Sequence, residues 1–195
     1  SNNRREVYES FGEIKDGSLL PLEYKKTKTT NRYTKIKRYV FDHENKKVTL
    51  YKESVYYDVK NELLNDEYVF NNTKKDEKTK EVYKFYAKND ILSLYFNLIN
   101  EIKEAQKDNF TFKAVGAKEN NGLIEIIKPK AGELASMKKF MNLEKDHFLK
   151  VIINQDIFTS SKGEMLINID DKNICSKAIL KDVLLFGDII ATKVN

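Results

Sequence analysis

Only one stretch of this chain carries a clear helical period. From Asp90 to Lys107, the apolar residues Ile91, Leu94, Tyr95, Leu98 and Ile102 recur at spacings of three and four. Leu92, Phe96 and Ile99 widen that stripe, while Glu101, Lys103, Glu104, Gln106 and Lys107 take the opposite side. An amphipathic helix needs such a stripe to bury one face. Nearly everything else alternates with period two, the spacing of a half-buried strand. About ten strand candidates, one long helix and no strand–helix alternation argue for antiparallel pairing rather than a doubly wound parallel sheet. We therefore expect a mainly β (α+β) fold. It would be an antiparallel sheet curled into a barrel or half-barrel, with one main helix, about 90–107, packed against it. At 195 residues the chain is expected to form a single β-rich domain over 1–195.

The first strands read as VYESFGEI (7–14) and LLPLEYKKTKTT (19–30), joined by a turn at Lys15-Asp16-Gly17-Ser18. A hairpin follows, from NRYTKIKRYVFD (31–42) through the turn DHENKK (42–47) to KKVTLYKESVYYDV (46–59). In the polar region 60–81, NELLNDEYVF reads as a short strand and NNTKKDEKTKE (71–81) as an exposed loop, with EVYKFYA (81–87) as the next strand. Beyond the helix come FTFKAVG (110–116) and GLIEIIK (122–128); LASMKKFMNLEKD (134–146) is either a strand or a short helix. HFLKVIINQD (147–156), EMLINID (164–170), CSKAILKD (175–182) and VLLFGDIIATKV (183–194) close the chain, with Gly187 as a bulge or point of close approach.

Asp90 and Ser93 stand where a catalytic acid–hydroxyl pair would be noticed. An Asp immediately before an apolar-periodic run is, however, a preferred N-cap, and Ser93 falls where a hydroxyl reaches back to the cap backbone. No Gly-x-Ser-x-Gly elbow or neighbouring His supports a serine nucleophile. Cys175 is the lone cysteine, and the two histidines, His43 and His147, are far from it in sequence. Neither a disulfide, a cysteine protease pair nor a structural zinc site is indicated, and no cofactor is expected. Asp170-Asp171 with Lys172-Asn173 reads as a hairpin turn; Asp66-Glu67 is likewise adjacent, poor geometry for paired acid–base work on a strand.

Lysine and arginine total 35 against 30 acids. The densest basic run, KKTKTTNRYTKIKR (25–38), reads as a solvated strand face, with a functional anion-binding patch as the alternative. Because lysines alternate with acids along the chain, nucleic acid is not expected as a partner. No run approaches the roughly 18 apolar residues of a membrane span, so no transmembrane segment is expected.

Five segments occur in a suggestive order: SFGEI–KDGSLLPLEY (10–24), YVFD (39–42), NDILSLYF (89–96), KGEMLINIDD (162–171) and LFGDIIA (185–191). This order resembles an exported Gram-negative bacterial family catalogued as a domain of unknown function. The family shows a Ser-x-Gly…Leu-x-Pro-x-x-Tyr segment, a Phe-Asp before a turn, an Asp-Pro-Leu-Ser helix start and a closing β-rich half. Ser10, Gly12, Leu20, Pro21, Tyr24, Phe41, Asp42, Asp90, Leu92, Ser93 and Gly187 match. Ile91 stands where the family has Pro, Ile167 where it has Trp, and Cys175 near an expected Pro. The strands that lead into the family's Ser-x-Gly segment have no counterpart, so an open barrel or a chain shortened at its start is expected. The resemblance implies a periplasmic or envelope location after signal-peptide removal, and an architecture like lipoprotein carriers and lipocalins.

On that analogy we expect a non-enzymatic carrier of a hydrophobic, lipid-like molecule, with Tyr39, Phe41, Tyr83, Phe85, Tyr95, Phe112, Phe148 and Phe158 lining its site. Aromatics at inward strand positions also serve simply as core. The alternative is an envelope interaction or scaffold module that contacts a protein or an anionic polymer through Tyr51, Tyr56, Tyr57, Tyr68 and the 60–81 region.

Overall fold

The structure, a computed structural model, describes residues 4–60, 69–71, 77–103, 107–117, 122–143, 147–152, 164–170, 172, 174–183 and 187–193. The chain packs as two compact units: Ser1–Glu13 with Leu20–Lys88, and Ile14–Leu19 with Asn89–Asn195.

The first unit is built on four long strands, β1 (Arg5–Lys15), β2 (Ser18–Thr29), β3 (Tyr33–Asp42) and β4 (Lys47–Tyr56). A separate two-stranded ribbon pairs β5 (Asp58–Lys60) with β6 (Val69–Asn71), and β7 (Glu77–Val82) completes the main sheet in the order β1-β2-β3-β4-β7. The β1–β2 connection is a two-residue turn in which both Asp16 and Gly17 have positive φ, 51° and 74°. That is the type I′ geometry which matches strand twist and favours an Asp-Gly pair. The β3–β4 hairpin runs in register from Tyr33↔Tyr56 to Asp42↔Lys47. Its turn is held by the Asp42 carboxylate, which accepts the Asn45 backbone N–H at 2.9 Å.

β7 lies inside the segment expected to be a loop, and EVYKFYA yields strand only as far as Val82. The physical reason is edge satisfaction. β7 is exposed along its whole length, yet it pairs with β4 from Thr49↔Val82 to Ser54↔Glu77, so backbone bonding rather than side-chain burial selects it. Tyr83 and Phe85, freed from the strand, fold onto the core of this unit beside Tyr24 and Tyr39.

The second unit holds β8 (Asn89–Asp90), α1 (Ile91–Lys103), β9 (Asn109–Val115), β10 (Leu123–Ile127), α2 (Ala131–Met141), β11 (His147–Ile152), β12 (Glu164–Ile169), β13 (Cys175–Val183) and β14 (Gly187–Thr192). Seven of these strands form one sheet, β14-β13-β12-β11-β10-β9-β8, antiparallel except where β8 meets β9. LASMKKFMNLEKD resolves to helix: α2 covers its first eight residues. Gly187 opens β14 opposite Val183, where the β13–β14 register shifts between Leu180 and Val183.

Neither larger sheet pairs its first strand with its last, so in place of the expected sheet curled into a barrel or half-barrel the described residues form two open sheets and a ribbon. Alternation along the strands of the second sheet explains how it is covered. Leu149, Val151, Ile167 and Ile169 pack with Leu94, Leu98, Ile99 and Ile102 of α1. The intervening Phe148, Leu166 and Ile179 pack with Met137 and Met141 of α2. The two helices thus take opposite faces. Burying a leucine such as Leu94 or Leu98 completely contributes about 1.5–3 kcal/mol each. Phe96, expected in the buried stripe, is instead exposed, and Asn97 is buried in its stead.

Candidate functional site

The expected lining residues are divided between the two units. Tyr39, Phe41, Tyr83 and Phe85 belong to the first unit; Tyr95, Phe112 and Phe148 belong to the second; Phe158 lies outside the described residues. In the first unit, Tyr39 meets Tyr83 edge-on at 5.1 Å and Tyr83 tilts against Phe85 at 4.9 Å, a packed aromatic core. Burial pushes the Tyr39 hydroxyl to a higher pKa, with the Tyr83 and Glu81 charges adding to it. Phe41 stacks on His43, whose Nε2 lies 2.6 Å from the Pro21 carbonyl and whose Nδ1 lies 2.9 Å from the Tyr86 hydroxyl. A carbonyl only accepts, so Nε2 carries the proton in the neutral ring and Nδ1 accepts from Tyr86. In the second unit, Tyr95 and Phe112 pack against the core under α1, and the buried Tyr95 hydroxyl has no hydrogen-bond partner among the described residues. These rings fill cores.

A cleft does exist in the second unit, and of the expected residues only Phe148 lines it. It has a volume of about 390 Å³ and is bounded by Ile99 and Ile102 of α1, Lys128 and Pro129 after β10, Leu134 of α2, and His147, Phe148 and Leu149 of β11. The helical period of α1 sets Ile99 and Ile102 three apart on its apolar face. Pro129 ends β10 and leads into α2, where the Glu133 carboxylate accepts the Lys130 backbone N–H at 3.2 Å. That bond, followed by the Lys150 ammonium 3.2 Å away, holds the Glu133 carboxyl below the usual range. At the far end of α2 the Lys177 ammonium donates to the Met141 carbonyl at 2.8 Å, satisfying one of the last helical acceptors. Both ends of α2 are therefore tied to the sheet, which fixes Leu134 over the cleft.

Six apolar residues and two nitrogen-bearing ones line this space. The Lys128 ammonium also sits 5.2 Å from the Phe110 ring centroid, and its backbone N–H donates to the Asp108 carbonyl at 2.7 Å. The sequence placed neither Lys128 nor His147 in a binding site. The signal that could have found them is their position immediately flanking apolar strand ends, one just after IEII and one just before FLKVI.

Among the described residues no three or more His, Cys, Asp or Glu side chains gather as a metal site. Cys175 opens β13; desolvation raises its thiol pKa, away from the thiolate that a nucleophile needs. Of the tyrosines considered for a surface module, Tyr51 lies between the Arg38 guanidinium at 4.6 Å and the Lys80 ammonium at 5.4 Å. The Tyr57 hydroxyl donates to Thr34 Oγ1, Tyr56 lies beside Tyr33, and Tyr68 is outside the described residues. No described helix is long and apolar enough to cross a membrane. No family model matches this chain, and no curated protein and no solved structure is significantly similar to it.

Proposed function

We propose that the second unit is a non-enzymatic binding module for a small apolar molecule bearing one negative group, of the fatty-acid class. The observation that carries this reading is the wall of the cleft: Ile99, Ile102, Pro129, Leu134, Phe148 and Leu149 around about 390 Å³, with Lys128 and His147 supplying the polar side chains. Small-molecule sites are concave, mostly apolar, and of about 300–1,000 Å³, with a few polar groups that fix orientation. An apolar tail would displace water from the hydrophobic wall, while the Lys128 ammonium would meet the acid group. On this reading the seven-stranded sheet is the half-barrel body of a carrier. A periplasmic or envelope location belongs to the same proposal and rests on the segment resemblance alone.

A second reading, an envelope interaction module, is favoured by one observation: the first unit presents Tyr33 and Tyr56 as a ring pair amid lysines on its long sheet.

The carrier reading is tested with 8-anilinonaphthalene-1-sulfonate, an apolar anionic fluorophore, displaced by decanoate. Saturable binding that decanoate competes away, and that Leu134→Trp weakens at least tenfold without lowering the melting temperature, supports it. Fluorescence that decanoate cannot displace, or that Leu134→Trp leaves unchanged, removes it.

A further inference from the structure

Lysines that alternate with acids along the chain are sorted differently by strand register. In the five-stranded sheet Lys26 stands directly opposite Lys37, and Lys37 directly opposite Lys52. Lys28 stands opposite Lys35 in the next row, and Tyr33 opposite Tyr56 in the row after that. Directly opposed residues share a face. One face therefore carries five lysines from three neighbouring strands in two adjacent rows, ending in a pair of tyrosines whose ring centroids are 6.3 Å apart.

Like charges set directly opposite one another are destabilising, so pairing alone gives no reason for this arrangement. The ammonium groups are held in part by rings. Lys35 Nζ lies 4.8 Å from the Tyr33 centroid and 5.5 Å from Tyr56, while Lys28 lies 5.9 Å from Tyr33 and Lys26 lies 4.9 Å from Tyr8. A ring orients an ammonium through its quadrupole and leaves the positive charge intact, which a carboxylate would not. Carboxylates do reach this face: Glu6 lies 3.8 Å from Lys26 and 4.0 Å from Lys28, and Glu81 lies 2.6 Å from Lys52. On the opposite face, Lys25, Arg38 and Lys78 lie at 3.2, 3.3 and 2.8 Å from Glu9, Glu23 and Glu53, and Lys80 lies 5.4 Å from the Tyr51 ring centroid. Lys35 and Lys37 are exposed.

We propose that this lysine–tyrosine face of the first unit binds single-stranded nucleic acid, phosphates along the lysine rows and bases against Tyr33 and Tyr56. Rows two residues apart on a strand are separated by about 7 Å, room for successive phosphates of an extended strand. Aromatic rings beside a cationic track are the working parts of sequence-tolerant single-strand binding. A duplex would keep its bases from the rings, and a sulfated polysaccharide has no bases to stack on them.

Fluorescence anisotropy of the full chain with fluorescein-labelled dT20, in 50 and 200 mM salt, tests this. With Lys26, Lys28 and Lys52 already beside carboxylates, neutralising two phosphates at Lys35 and Lys37 gives a slope of log affinity against log salt of about −1.4, roughly sevenfold over that range. Lys35→Glu with Lys37→Glu should weaken dT20 at least tenfold, and Lys78→Glu on the other face by no more than about twofold. Should the paired glutamates lower the melting temperature, Lys35→Gln with Lys37→Gln takes their place, with a loss of at least about threefold expected. Tyr33→Leu should weaken dT20 while leaving heparin binding unchanged. Absence of dT20 binding, heparin binding alone, equal loss with Lys78→Glu, or equal loss of dT20 and heparin with Tyr33→Leu each overturns the proposal.

Discussion

Asp90 and Ser93 hold each other's backbone at the start of α1. Asp90 Oδ1 accepts the Ser93 N–H at 3.1 Å, and Ser93 Oγ accepts the Asp90 N–H at 2.9 Å. Asp90 Oδ1 also takes the Leu92 N–H at 2.8 Å, and both residues are fully buried. This is a capping box with Ser in the place usually taken by Glu or Gln. Asp90→Ala should cost about 1–2 kcal/mol in chemical denaturation, toward the upper end because water cannot reach the freed N–H groups. Ser93→Ala should cost about 1–2 kcal/mol, because the Asp90 N–H and a buried Asp90 carboxylate oxygen both lose Ser93 Oγ. An Asp90→Ala midpoint equal to wild type would remove the cap assignment.

Asn97 replaces a backbone. Its Oδ1 accepts the Leu19 N–H at 2.7 Å and its Nδ2 donates to the Leu19 carbonyl at 2.9 Å, as a neighbouring strand would. The same nitrogen donates to Asn89 Oδ1 at 2.7 Å. Asn97→Leu keeps the volume and strands three polar groups, so a loss of about 2–5 kcal/mol is expected. Asn100→Ala, which removes exposed bonds to Gly17 and Ser18, should cost under about 1 kcal/mol. Equal losses in the two variants would show that burial is not what gives the Asn97 amide its weight.

Periodicity made much of the fold legible. The stripe from Ile91 to Ile102 gave the helix, Lys15-Asp16-Gly17-Ser18 gave a turn, and alternation gave most of the strands of both sheets. Sheet number was not legible, because period two specifies a face and not the partner that will cover it. β7 was hidden for a related reason: an exposed edge strand carries no apolar alternation. Asn97 broke the expected burial order because a polar amide can be buried once a backbone segment far off in sequence satisfies it. The aromatic residues were placed in a common site on residue type alone, and register distributed them among separate cores. The cleft brings together Lys128 after β10 and His147 at the start of β11. No local pattern encodes it.

The Asp170 carboxylate organises the β12–β13 turn. It accepts the Ile174 and Lys172 backbone N–H groups, each at 3.0 Å, and pairs with the Lys193 ammonium at 3.1 Å. The Ile174 bond is the largest influence on its pKa; desolvation opposes it, and Lys193 and Lys172 add to the lowering, for a net fall below the usual 3.8. A lowered folded-state value means that the charged form stabilises the fold above the ordinary carboxyl pKa. That contribution is lost as pH falls through the lowered value. The melting-temperature difference between wild type and Asp170→Asn should therefore be constant from pH 7 to about 5 and shrink below about pH 4. A difference that grows on acidification would contradict the sign.

Three glycines should respond to alanine in three ways, because their surroundings differ. A Cβ built on Gly12 would lie 2.0 Å from the Leu20 carbonyl oxygen and 2.8 Å from Pro21 Cα, both backbone atoms of the neighbouring strand. The hairpin would have to part to admit it, and overpacking of that kind costs about 1–3 kcal/mol. Gly17 has open space, its nearest neighbour being Asn100 Nδ2 at 3.8 Å, but its φ of 74° is one that alanine adopts poorly. Gly17→Ala should cost about 1 kcal/mol through backbone strain alone. Gly132, exposed in the first turn of α2, has nothing within 4 Å, so Gly132→Ala should stabilise by up to about 1 kcal/mol through helix propensity. Urea denaturation of the three single variants gives the order directly: Gly132→Ala above wild type, Gly17→Ala below it, and Gly12→Ala lowest. A Gly12→Ala protein as stable as wild type would mean that the β1–β2 contact is looser than 2.0 Å implies.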